Sequence, residues 1–198
     1  MARKPEYSIN EVFKKALIII SDKGYKACSM QHLIEKTQFN RRAFYQQFKH
    51  KQDFIEQLLS YYIEHSLLPL QASLNYTPNK NDSDKLTHLI TDFFNRYQHL
   101  IDQDGCLLVK LSLELGKQNV AVQNMARRYY DNLHLSFIAC LERAHARGEI
   151  PHISNIESMA LKLTCFTQAF AVSNNLQQGQ SDVHIVIQSL FEPSSEFA

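Results

Sequence analysis

The stretch Phe39-Asn40-Arg41-Arg42-Ala43-Phe44-Tyr45-Gln46-Gln47-Phe48-Lys49-His50-Lys51 decides the reading of this chain. Phe44 and Phe48 stand four residues apart, so on a helix they share one apolar side, with Phe39 beside them. Arg41, Arg42, Tyr45, Gln46 and Lys49 are left on the opposite side. Asn40 is a residue that caps a helix start, because its side-chain oxygen accepts an amide of the first turn. Such a helix has one face for a core and one face for a polyanion. Guanidinium groups there can donate two hydrogen bonds to guanine in a major groove, while neighbouring Lys, Tyr and Ser groups hold phosphates.

Upstream, Ile9, Val12, Phe13, Ala16, Leu17 and Ile20 follow the spacing of an amphipathic helix. Ser8 and Glu11 form a capping-box pattern at its start, and Gly24 is placed to end it. Ser29 caps a second, shorter helix from Met30 to about Lys36, whose inner face is Met30, Leu33 and Ile34. Only Thr37, Gln38 and Phe39 separate it from the helix capped by Asn40, which runs to about Phe48. Two short helices joined by so tight a turn predict a helix-turn-helix. A fourth helix begins near Lys51, carries Phe54, Leu58, Tyr61, Tyr62 and His65, and is expected to stop at Pro69. The net charge of +1 conceals an asymmetry: residues 1–53 hold eleven Lys/Arg against five Asp/Glu, and the remainder is acidic. A basic first quarter on an acidic body fits a head that meets nucleic acid.

After a polar stretch, Tyr76–Asp84, helical patterns resume. Leu86, Leu89, Ile90, Phe93, Phe94 and Tyr97 form one stripe; Met125, Tyr129, Leu133, Phe137, Cys140, Leu141 and Ala144 form a second, along Val120 to Arg147. Ile156, Met159, Ala160, Leu163, Phe166, Thr167 and Phe170 form a third, and after Gly179 a last helix covers Val183 to Phe191. Gly and Pro number five each and hairpin signals are missing, so the fold class is all-α, with about nine helices. The boundaries expected are a DNA-binding domain over 1–52 and a larger helical domain over 53–198.

The run Gly105-Cys106-Leu107-Leu108-Val109-Lys110-Leu111-Ser112-Leu113-Glu114-Leu115 has two local readings. Alternation from Val109 to Leu115 suits a buried strand, whereas the all-helical context favours a short central helix. On the helical reading Cys106 lies at the helix start, where the macrodipole favours a thiolate, with Lys110 one turn on. Cys106 then either senses a reagent or packs as a small hydrophobe. Phe93, Tyr97, Tyr129, Phe137, Phe166 and Phe170 either line an effector cavity or fill the core.

No apolar run approaches the roughly 18 residues that would span a bilayer, and no signal-peptide core follows the N-terminus. The four cysteines lie far apart, as in a reduced cytoplasmic protein. The nine histidines show no ligand spacing, so neither a metal nor a cofactor is expected. No phosphate loop or nucleophile elbow occurs. The competing functional class is an all-α thiol-dependent enzyme acting on electrophiles through Cys106.

The segment Gly24-Tyr25-Lys26-Ala27-Cys28-Ser29-Met30, Leu33-Ile34, and above all Phe39 through Lys51, resembles the TetR/AcrR family of transcriptional repressors. The resemblance implies that Arg41 and Ala43 face base edges. It places Tyr45, Gln46, Lys51 and Ser29 on phosphates; Asn40, Arg42 and Lys49 complete that surface. It further implies a homodimer formed by the last two long helices, a near-palindromic double-stranded operator, and release by a small-molecule effector. Two departures stand out. Gln38 occupies a turn position where the family usually has glycine, and a left-handed backbone there costs on the order of 1 kcal/mol. Arg42 stands where a small residue is usual and is expected to alter operator preference. The Gly105–Glu114 run is similar to the N-ethylmaleimide-responsive, electrophile-sensing subgroup, in which the cysteine of this motif is the sensor. The lysine such sensors place on a later helix has no counterpart around Ser173-Asn174-Asn175.

Overall fold

The computed structural model describes residues 8–76, 85–102, 105–175 and 183–191, and all regular structure among them is helical. The polar stretch from Thr77 to Asp84, and Gly179, lie outside the described residues. The chain divides into two compact units, one of Met1–His65 with Asp104–Ala126, the other of Ser66–Gln103 with Arg127–Ala198.

In the first unit, α1 (Ile9–Lys23) buries Val12, Phe13, Ala16 and Ile20, four of the six residues of its apolar stripe. Gly24 ends it at φ 79°, its amide bonded to the Ile20 carbonyl at 2.9 Å. The expected capping box does not form. The Ser8 side chain makes no cap bond; its carbonyl receives the Glu11 amide, and the Glu11 carboxylate takes Lys14 at 3.0 Å instead. The exposed lysine one turn on competes successfully for that carboxylate.

The second helix, α2 (Met30–Thr37), starts where Ser29 Oγ accepts the His32 amide at 3.1 Å. The third, α3 (Arg41–Gln47), starts where Asn40 Oδ1 accepts the Ala43 amide at 3.1 Å. Between them Gln38 adopts φ 58°, ψ 25°, the one left-handed non-glycine among the described residues. Its side chain is exposed, so nothing in the interior rewards the strained backbone. We expect Gln38→Gly to stabilise the protein by about 0.5–1 kcal/mol, the αL penalty less the added freedom of the unfolded chain. Thermal unfolding of the two chains checks this; a lower midpoint for the glycine form would refute it.

At α4 (Lys51–Tyr62) the caps are reciprocal: His50 Nδ1 accepts the Asp53 amide and Asp53 Oδ2 accepts the Lys49 amide, both at 3.0 Å. Pro69 does not end this helix, contrary to the expectation from sequence. The chain passes through a π turn, Ile63–Leu67, straight into α5 (Leu68–Ser73), with Pro69 in its first turn. In a continuous α-helix the proline ring would meet the carbonyl four residues back and leave it without a donor. The wider π turn removes that conflict, and Pro69 sits where a missing amide costs little.

Also in the first unit is α7 (Leu107–Leu115), so the alternating segment is helical and not a strand. In the second unit, α6 (Leu86–Ile101) buries Leu86, Ile90, Phe93, Phe94, Tyr97 and Ile101. The long α8 (Val120–Ala146) ends at Gly148, φ 72°, and α9 (Ile156–Asn175) starts where Asn155 Oδ1 accepts the Ser158 amide at 2.8 Å. The last helix, α10 (Val183–Phe191), has the bounds expected from its pattern. Counting Lys51–Ser73 as one rod with a π turn gives nine helices among the described residues. None of them is long and apolar enough to cross a membrane.

Candidate nucleic-acid interface

The outward side of α3 rests on a cluster of rings. Phe44 and Phe48 have no exposed surface, and Phe39 is buried beside them. Phe44 lies 4.9 Å from Phe48 and 5.1 Å from Phe54, centroid to centroid; Phe48 meets Phe54 edge-on at 4.8 Å, and Phe13 of α1 closes the cluster. With that side of α3 sealed, Arg41, Arg42, Gln46 and Lys49 are exposed, Ala43 is half-buried, and Tyr45 is 46% exposed with its ring edge-on to Phe44. Apart from Ala43, which only the family resemblance names, these are the residues the sequence assigns to the outer side, and all of them are exposed.

Lys51 and Ser29 are placed differently. Ser29 is exposed, but its hydroxyl oxygen already caps α2. Lys51 is half-buried: its ammonium donates to the Tyr25 carbonyl at 2.5 Å and lies 3.9 Å from the Tyr25 ring centroid. Burial pushes the Lys51 ammonium below the ordinary lysine value. The Gln57 amide, and after it the Lys49 backbone amide, hold the Asp53 carboxyl below its usual range.

Cys106 is 1% exposed and is the N-cap residue of α7, its carbonyl accepting the Lys110 amide at 3.0 Å. The Tyr62 hydroxyl of α4 faces its sulfur at 3.9 Å, and the Lys110 ammonium donates to the Ser21 carbonyl of α1 at 2.8 Å. Cys28 and Cys140 are also buried, and desolvation holds both thiols above the usual cysteine value; Cys165 on α9 is exposed. A short pulse of maleimide at neutral pH is therefore expected to leave Cys28, Cys106 and Cys140 unlabelled until the fold opens. Peptide mass spectrometry reads the labelled positions, and early labelling of Cys28 or Cys140 would contradict it.

Among the aromatics named as effector-pocket candidates, Phe93 packs on Tyr97 and Phe137, and Phe166 stacks on Phe170, with Phe94 between the groups. Tyr129 packs edge-on against Tyr130. A cavity of about 730 Å³ lies elsewhere in the same unit, lined by Thr87, His88, Asp92, Asn95, Glu149 and Gln188 among others. Of this lining the sequence offers only His88 as a cavity candidate, although His88, Asp92 and Asn95 repeat at three- and four-residue spacing opposite the apolar stripe of α6. No group of three His, Cys, Asp or Glu among the described residues could hold a metal ion.

Comparison with known proteins agrees with this geometry. Residues 12–58 match the family described as "Bacterial regulatory proteins, tetR family", and residues 83–190 match "Tetracyclin repressor-like, C-terminal domain". The HTH-type transcriptional repressor ComR of Escherichia coli (strain K12) is 23% identical over 159 residues, covering 80% of this chain and 75% of ComR. A cysteine mutant of the TetR family transcriptional regulator CifR, solved with 26-base-pair operator DNA, shares the fold. Its TM-score is 0.78 at 16% identity, over 96% of this chain and 98% of that one. The reduced form of E. coli NemR superposes with a TM-score of 0.69 at 15% identity, over 91% and 93% of the two chains. Regulators of this type bind operator DNA as dimers and are not enzymes. The two matched segments together span most of the sequence, and the chain belongs to the TetR family of bacterial regulatory proteins.

Proposed function

We propose that the protein is a dimeric, cytoplasmic repressor that binds a near-palindromic operator and is released from it by a small-molecule effector. Residues 1–52 engage DNA, and residues 53–198 bind the effector and the second copy. The observation that carries this reading is the division of α3, with Phe44 fully buried and Arg41, Arg42 and Gln46 exposed, and Lys49 exposed just beyond its end. Arg41, Arg42 and Ala43 address base edges. Ser29, Asn40, Tyr45, Gln46, Lys49 and Lys51 lie along the phosphates; the Lys51 ammonium has three donors, of which the Tyr25 carbonyl takes one. Leu135 of α8 is 60% exposed and Leu161 of α9 is 56% exposed, which supports those two helices as the dimer surface. Two heads about one duplex turn apart, roughly 34–36 Å, then read two half-sites.

Release requires an effector that favours the DNA-incompetent state. Two triggers compete. One is covalent modification of Cys106 by an electrophile or oxidant, a reading supported by the redox state and cysteine mutations named for the NemR and CifR structures. The other is reversible binding of a lipophilic molecule among Phe93, Tyr97, Tyr129, Phe137, Phe166 and Phe170. Cys106 is sealed under Tyr62, so the first trigger needs that contact to open.

The test begins by selecting duplexes from a random-sequence pool with the intact chain. Retention of a two-fold-related sequence at moderate salt supports the reading, and failure to enrich any sequence overturns it. The selected complex is then treated with N-ethylmaleimide. Release in the intact chain and in Cys165→Ser, but not in Cys106→Ser, assigns the thiol trigger; release that persists in Cys106→Ser excludes it.

A further inference from the structure

The segment carrying α7 belongs to the same compact unit as the head, although some sixty to ninety residues of sequence separate it from the groups it holds. Two of its side chains reach into the head and a third reaches α4. Lys110 Nζ donates to the Ser21 carbonyl in the last turn of α1 at 2.8 Å. Glu114 Oε2 accepts the Lys26 amide, in the connection between α1 and α2, at 3.0 Å. Asn119 Nδ2 donates to Glu56 Oε1 of α4 at 3.1 Å. Lys110 thus satisfies one of the carbonyls that a helix end leaves without a partner, with a cation where the macrodipole favours one. Glu114 also covers Gly24: a Cβ built there would stand 2.4 Å from Glu114 Oε1. The glycine therefore serves both its positive φ and the approach of this carboxylate.

The connection held in this way is short and leads directly to the DNA-facing groups. It contains Tyr25, whose carbonyl and ring seat Lys51, and it ends at Ser29, whose hydroxyl caps α2. Cys106, Lys110 and Glu114 recur every four residues, so they lie along one side of α7.

We propose that Lys110 and Glu114 are positioning residues for operator binding: from α7 they fix the α1–α2 connection, and with it the placement of Lys51, Ser29 and the recognition helix. The proposal rests on the operator-binding reading for its functional consequence, but the clamp itself is independent of what the head binds.

The experiment uses the full chain with Glu114→Ala, Glu114→Gln and Lys110→Met. It reads affinity for the duplex that the intact chain selects, hydrogen exchange at the Lys26 amide, and the thermal midpoint. In Glu114→Ala the Lys26 amide should exchange at least about tenfold faster and operator affinity should fall about tenfold, the scale of one lost charge-assisted hydrogen bond. Glu114→Gln should retain both within about threefold, because the amide oxygen accepts from the same place. A purely structural role would lower the midpoint in proportion; here it should stay within a few degrees. Lys110→Met should act in the same direction, and the double variant Lys110→Met/Glu114→Ala should cost less than the sum, since both groups hold one connection. Faster Lys26 exchange in Glu114→Ala with unchanged operator affinity would overturn the proposal, as would Glu114→Gln behaving like Glu114→Ala. If the intact chain selects no duplex, the repressor reading fails, and Lys26 exchange still decides whether the clamp exists: unchanged exchange in Glu114→Ala overturns it.

Discussion

Arg41→Ala is expected to weaken binding to the selected operator by roughly ten- to a hundredfold, the 1–3 kcal/mol of a bidentate base contact. Its effect on random DNA should be much smaller, because a base-reading guanidinium contributes chiefly to discrimination. Lys49→Ala is the contrasting variant: an exposed phosphate-holding cation should weaken both DNAs alike and lower the salt slope by about one. Lys51→Ala is a poorer control than its sequence position suggests. The ammonium seats on Tyr25, so its removal also disturbs the head. Titrations at two or more salt concentrations separate these outcomes. Equal losses for Arg41→Ala on operator and random DNA would remove it from base reading.

The second large effect is on stability. Phe44→Ala removes the ring that touches Phe39, Tyr45, Phe48 and Phe54 at centroid distances between 4.9 and 6.2 Å. Truncation of a fully buried phenylalanine costs about 3–5 kcal/mol, a large part of the roughly 5–15 kcal/mol that holds a typical domain together. Denaturant unfolding of this variant should show a strongly reduced midpoint, and operator binding should be lost with it although no DNA-facing group has changed. Phe44→Leu, which leaves a smaller void, should fall between the two. An unfolding free energy within 1 kcal/mol of the original for Phe44→Ala would mean the ring cluster is not the support of α3.

The head was legible in the sequence because its signals are local and agree with one another. Ser29 and Asn40 are caps by residue type and are caps in the structure, and the four-residue spacing of Phe44 and Phe48 does place both inside. Gln38 was recognisable as strained because it stands where the family it resembles usually has glycine, and the backbone there is left-handed. Where two local signals conflict, the sequence misleads. Pro69 marks a helix end by every local rule, but a π turn just before it lets the rod continue. Ser8 and Glu11 form a capping box on paper, and Lys14 takes the carboxylate. The α7 clamp was not legible because its bonds join residues some sixty to ninety positions apart, two of them to backbone groups of which sequence carries no trace. Nor does residue type distinguish a ring that lines a cavity from one that fills a core. Phe93, Phe137 and Phe166 are rings packed against rings.

The seven residues of α3 are too few to hold a helix in water unaided. Its backbone is borrowed from the phenylalanines beneath it, so the outward residues owe nothing to one another. On the proposed reading, evolution or an engineer can therefore rewrite the sequence preference at Arg41 or Arg42 without renegotiating how the protein folds.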